Sequence, residues 1–122
     1  MRFTVFGNHL GLDKNPVPYT RTTQRAKFKD PAYQKYAAWK KFVIATCLAE
    51  AGKTSMIPGL LDGKKKTRLN CTCFFINKRH GDPENIRKGI QDALFANDKY
   101  VWGSVDFFYD KESPRVEIEI TR

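Results

Sequence analysis

An α+β fold, with two helices packed against one mixed β-sheet, is what this 122-residue chain predicts. Three observations predict it. Apolar side chains alternate along 1–7, 67–76, 100–109 and 115–121, as strands require. They recur at helical spacing along 31–51 and 83–94. Each helical stretch also opens on the same dipeptide, Asp30-Pro31 and Asp82-Pro83. Aspartate accepts the orphan N–H bonds of a helix start, and proline fits the first helical position. The predicted order is β-α-β-α-β-β in a single domain, 1–122, without repeat or linker.

The first strand places Phe3 and Val5 on one face and Arg2 and Thr4 on the other. An arm follows over 8–29, where Lys14, Arg21, Arg25, Lys27 and Lys29 alternate with prolines, Tyr19 and Phe28. It reads equally as a solvated loop, with a short strand near 26–28, or as an arm that grips phosphate and stacks on bases. The first helix should run to about Ala51 and stop at Gly52. Its inner stripe is expected to be Tyr33, Tyr36, Ala37, Val43, Ile44, Cys47 and Leu48. Lys40 falls within that stripe, with its stem packed and its amine reaching water. Residues 55–66 form a loop ending in Lys64-Lys65-Lys66. The strand 67–76 is central, with Leu69, Cys71, Cys73 and Phe75 inward, and Lys78-Arg79-His80 leads from it into the second helix. Asn97-Asp98-Lys99 connects that helix to the last two strands, whose final member turns Val116, Ile118 and Ile120 to the core.

Charge narrows the function. Twenty-two Lys and Arg against 13 Asp and Glu leave +9, which favours a polyanion such as nucleic acid. No apolar run is long enough to span a bilayer and the N-terminus has no signal-like apolar region, so a cytoplasmic protein without a membrane partner is expected. Three cysteines suit reduced, buried thiols, and the spacing of Cys47, Cys71, Cys73 and His80 is not that of a zinc site. Ala51-Gly52-Lys53-Thr54 lacks the first glycine of a phosphate-binding loop and ends a helix instead of following a strand. His9 and His80 are the only histidines, and no Ser-His-Asp set is present.

The stretch with most chemistry is Asp82-Pro83-Glu84-Asn85-Ile86-Arg87-Lys88. Ile86, Ile90, Ala93 and Leu94 mark its buried side, while Glu84, Lys88 and Asp92 face away. Two acids on one turn with a lysine beyond suit a divalent cation that handles phosphate. The same residues also make an ordinary helix start: carboxylates complement the macrodipole there, and Glu84–Lys88 is a common surface pair.

This stretch, the following Asp92-Ala93-Leu94 and then Asn97-Asp98 resemble the motif of the RusA family of Holliday-junction resolvases, common in phage and prophage genomes. The resemblance extends upstream to the arm around Pro16-Val17-Pro18 and the helix after it. Glu84 stands where that family usually has aspartate, Asn97 replaces the first acid of its aspartate pair, and the connector before Asn97 is short.

The resemblance implies a homodimeric endonuclease that nicks branched DNA in a bacterial or phage-infected cytoplasm, using Mg²⁺ or, in its place, Mn²⁺. By position, Asp82, Glu84 and Asp98 would hold the metal and Lys88 would be the basic catalytic residue. Asp106, inside the following strand, is the alternative third acid, since its place relative to the helix start depends on register. Arg21, Arg25, Lys27, Lys64, Lys65, Lys66, Lys78 and Arg79 are the expected DNA contacts. A different class of function also fits, a basic nucleic-acid-binding protein that keeps the fold without cutting. A third is a structural protein whose acidic helix start is only a cap.

Overall fold

A computed structural model describes residues 1–21, 29–54, 65–97 and 99–121. Its elements are β1 (Arg2–Phe6), α1 (Pro31–Thr54), β2 (Thr67–Phe75), α2 (Pro83–Leu94), β3 (Val101–Trp102), β4 (Val105–Tyr109) and β5 (Arg115–Thr121). One sheet has the order β1-β5-β2, and both β3 and β4 lie on the far side of β2. β5 is antiparallel to β1 and to β2. β3 and β4 are parallel to β2, a pairing that needs a crossover, and α2 provides it. The architecture is the α+β mixed sheet with two helices that the periodicities predict.

Alternation in the strands decides where the core sits. Leu69, Cys71, Cys73 and Phe75 of β2 are buried together with Val116, Ile118 and Ile120 of β5 and Phe3 and Val5 of β1. Trp39, Val43 and Cys47 of α1 and Ile86, Ile90 and Leu94 of α2 join them in one cluster. Burying a side chain of this size removes about 1.5–3 kcal/mol of unfavourable hydration, so this cluster is the main source of cohesion. The other sheet face lacks a helix among the described residues. It carries Arg2, Thr4, Asn70, Thr72, Asp106, Glu117 and Glu119 around a shallow hollow.

Three expectations change. The inner stripe of α1 is Tyr36, Trp39, Val43 and Cys47, whereas Ile44 and Leu48 are exposed. One residue along a helix is a turn of about 100°, so 44 and 48 rotate away from the face that 43 and 47 share. The helix also continues through Gly52 to Thr54. A lone glycine in a helix costs about 1 kcal/mol, which does not suffice to end one of 24 residues.

The strand expected over 100–109 is divided at Gly103-Ser104, yet its register with β2 does not slip: Thr67 faces Val101 and Phe75 faces Tyr109. Gly103 has φ +152°, and a β-carbon there would overlap the Leu69 carbonyl oxygen. That oxygen accepts instead from Arg87 Nε of α2 at 2.9 Å. Asn70 Oδ1 accepts from Ser104 N at 3.1 Å, and Cys71 N donates to Ser104 O at 3.0 Å. The interruption is thus bridged by side chains. The short strand expected near 26–28 lies outside the described residues.

Candidate nucleic-acid and metal site

α2 starts as its sequence requires. Asp82 is the N-cap, its Oδ1 accepting from Glu84 N at 3.0 Å, and Pro83 follows it. Ile86 and Ile90 are fully buried and anchor the helix, which leaves Asp82, Glu84 and Lys88 exposed. The Lys88 amine does not pair with Glu84. It sits over the Tyr19 ring, 4.6 Å from the centroid. Both acids thus stand in the first turn with their outer oxygens open, and the lysine is held one turn on by an aromatic face.

The arm is fastened beside them. Tyr19 N donates to Asn85 O at 3.0 Å, and Val17 is buried. The Pro18 ring lies so close to Gly81 that a side chain there would collide with it. Asn15 ties the arm to the β2–α2 loop, its Oδ1 accepting from Ile76 N at 2.8 Å and its Nδ2 donating to Arg79 O at 3.2 Å. Between arm and loop runs a cleft lined by Asp13, Lys14, Lys35, Arg79 and His80, ending at Gly81. Three cations against one acid border it, directly upstream of Asp82. Lys14 belongs to the basic arm that the sequence marks, whereas Lys35 was not among the expected contacts. Lys35 lies on an outward face of α1, and only the folding of the arm brings it here.

Aromatic rings close the other flank. His80 stacks on Phe75 with ring centroids 3.7 Å apart, and Phe107 and Tyr109 lie at 5.9 and 5.7 Å. The Gly81 carbonyl can only accept, so His80 Nδ1, 2.7 Å from it, carries the proton. His80 Nε2 lies within hydrogen-bond distance of the Tyr109 hydroxyl, at 3.2 Å. These contacts fix the loop that delivers Asp82 to the ends of the two parallel strands, where helix starts and loops converge on ligands in crossover folds.

The remaining expected residues are dispersed. Arg21, Lys78 and Arg79 are exposed, and Lys78 and Arg79 belong to the loop before Asp82. Lys65 and Lys66 precede Thr67, at the other end of β2. Asp98, Arg25, Lys27 and Lys64 lie outside the described residues. Asn97 and Lys99, which flank Asp98 in sequence, follow the C-terminal end of α2, and Tyr100 O accepts from Thr67 N at 3.0 Å. A helix of 12 residues is roughly 18 Å long, and that length separates them from Asp82. Asp106 faces Thr72 and lines the hollow on the helix-free sheet face. No group of three potential metal ligands is assembled among the described residues.

Asp92, on the outer side of α2, is engaged elsewhere. Its Oδ2 accepts from Lys40 Nζ at 2.8 Å and from the Tyr36 hydroxyl at 2.9 Å. Partial burial pushes its pKa up, but the Lys40 and Tyr36 hydrogen bonds outweigh this and hold it below the usual value. Lys40 therefore joins α1 to α2 instead of ending in water. The thiols are inert by the same logic of burial: Cys71 is pushed up to about 12, and Cys47 and Cys73 are raised as well. Compared with known proteins, the chain matches no family model and no curated protein.

Proposed function

We propose that this protein is a metal-dependent endodeoxyribonuclease that resolves four-way or similarly branched DNA by paired nicks, acting as a homodimer. The observation that carries the reading is the exposed Asp82–Glu84 pair, which follows in the chain directly on Gly81, the last lining residue of a cleft bordered by Lys14, Lys35 and Arg79. Two hard carboxylates fit Mg²⁺ or Mn²⁺, because Mg²⁺ is commonly held by one or two protein carboxylates and keeps several waters. Asp82 spends Oδ1 on its cap and retains Oδ2; Glu84 is exposed, with its carboxylate clear of any ion pair among the described residues. A bound divalent ion would relieve phosphate charge and ease deprotonation of water. The cleft cations position the backbone, Lys88 offsets charge that develops at phosphorus, and Glu84 is placed to take a proton.

The homodimer is part of the proposal on chemical grounds. Two symmetric nicks need two sites, and one chain offers one acid pair. The second reading is a basic DNA-binding protein without catalysis. It is favoured by the Asp82 cap hydrogen bond, which an ordinary helix start makes equally well.

A gel assay decides. A synthetic four-way junction should be cut with Mg²⁺ or Mn²⁺ and remain whole in EDTA. Asp82→Asn, which keeps a capping oxygen, should bind the junction without cutting it. Binding without cutting by the unaltered protein in either metal would leave the second reading.

A further inference from the structure

The far end of the sheet holds a second group of cations, built differently from the first. Arg68 points away from the helices, between its strand neighbours Trp102 and Thr121. Its guanidinium carbon lies 4.3 Å from the centre of the Trp102 ring, and the Lys66 amine lies 6.0 Å from the same ring. Lys66, Arg68, Trp102 and Thr121 line a small hollow that contains no carboxylate among the described residues. Lys65, Lys66, Arg68 and Lys99 are all exposed, and none forms an ion pair with a described residue. Arg2 and Arg115, by contrast, are ion-paired with Glu119 and Asp110. Here the cations have no ion pair among the described residues, and one of them lies over an aromatic ring.

Stacking has a chemical consequence. A guanidinium held over an indole face by an exposed side chain keeps its planar set of N–H donors available, and such a set suits two phosphate oxygens at once. Lys66 adds a point charge and Thr121 a hydroxyl at the same rim. The strand between this hollow and the Asp82 end measures roughly 26 Å, at about 3.3 Å for each step from Thr67 to Phe75. At 3.4 Å per nucleotide that is about seven to eight base pairs of duplex.

We propose that Arg68, Lys66 and Thr121, on the Trp102 shelf, form a second phosphate-binding site for the DNA backbone. It grips a part of the same nucleic acid well removed from the strand that enters the Lys14–Arg79 cleft. This rests on the nucleic-acid reading above but not on the cleavage chemistry. DNA is the occupant because the hollow offers two cations, a hydroxyl and an aromatic support, and its described lining holds neither an acid nor an apolar trough for a protein partner. It also extends the proposed substrate: a branched molecule offers a second arm, whereas a short linear piece does not.

Trp102 is half exposed and Trp39 is buried, so tryptophan emission reports on this hollow. The full chain in EDTA would be titrated with a four-way junction and with a hairpin duplex of about five base pairs, shorter than the separation of the two sites, across a salt series. Junction DNA should alter the emission, and Trp102→Phe should abolish that change. Replacing both Lys66 and Arg68 by Ala should weaken junction binding about tenfold and lower the salt slope by about two. The short duplex should lose much less. An unchanged slope in the double variant with undiminished binding, or an equal emission change with phosphatidylglycerol vesicles, would overturn the site. If the unaltered protein binds junctions but never cuts them, the nuclease reading falls and this site stands. If it cuts normally and the double variant behaves like it, the site falls alone. Absence of any DNA binding removes both.

Discussion

At Asp92 two forces oppose each other, and the balance has a measurable sign. Burial disfavours the carboxylate, but Lys40 and Tyr36 donate to it and its folded pKa is depressed. A depressed carboxylate stabilises the fold above the unfolded value near 3.9, and that contribution is lost as pH falls through the lower folded value. Asp92→Asn should therefore cost stability at neutral pH and lose its effect in strong acid, as urea unfolding at a series of pH values would show. A wild-type-minus-variant difference that grows on acidification would mean that the pair does not operate. The thiols make the opposite case. With Cys71 raised to about 12 and all three cysteines buried, an aromatic disulfide reagent should react with native protein far more slowly than with protein in denaturant. Asp82 was legible from its Asp-Pro context, as were the inward cysteines from alternation. Lys40–Asp92 was not, since its partners lie 52 residues apart, and neither was Lys35, whose role depends on where the arm docks.

At the scale of elements, the joint between β3 and β4 is the most demanding piece of the sheet. Gly103 leaves room at the Leu69 carbonyl, Arg87 of α2 occupies that acceptor, and Asn70 holds Ser104. Gly103→Ala adds a methyl against backbone at a φ that glycine tolerates best, so a loss of about 1–3 kcal/mol is expected. Chemical denaturation would measure it, and a variant as stable as the parent would show that the joint can relax. The strand itself was readable from its alternating residues and its parallel partner is what a helix crossover demands. Its interruption was not readable, because it depends on an arginine from another element entering the ladder. The same gap explains α1: its two candidate apolar stripes, 43/47 and 44/48, differ only in which one the sheet and α2 meet.

For the whole molecule the charge arrangement matters more than its sum. Cations border the cleft before Asp82 and recur beyond the start of β2, so junction affinity should fall steeply with added salt. Lys14→Glu with Lys35→Glu should weaken binding to branched and linear DNA alike, by about tenfold or more at low salt, as a fluorescence-anisotropy titration would reveal. Unchanged affinity would return that cleft to a solvated surface. Reversing Arg21, Arg25 and Lys27 tests the arm in the same way. Sedimentation at micromolar concentration should show a dimer; only monomer, together with paired cuts, would exclude the two-copy scheme.

The joint at Gly103 has a further bearing on how this chain could vary in length. Asn70 and Arg87 pin the strand pairing from outside the connector, so the pairing does not depend on how many residues join Leu94 to Tyr100. Residues could be added near Ala96 and Asn97 while every side chain of β4 kept its face. A single residue added within β4 would turn every side chain after it to the opposite face. Insertions and deletions should therefore be accepted before Tyr100 and rejected past Ser104, within a span of only a few residues.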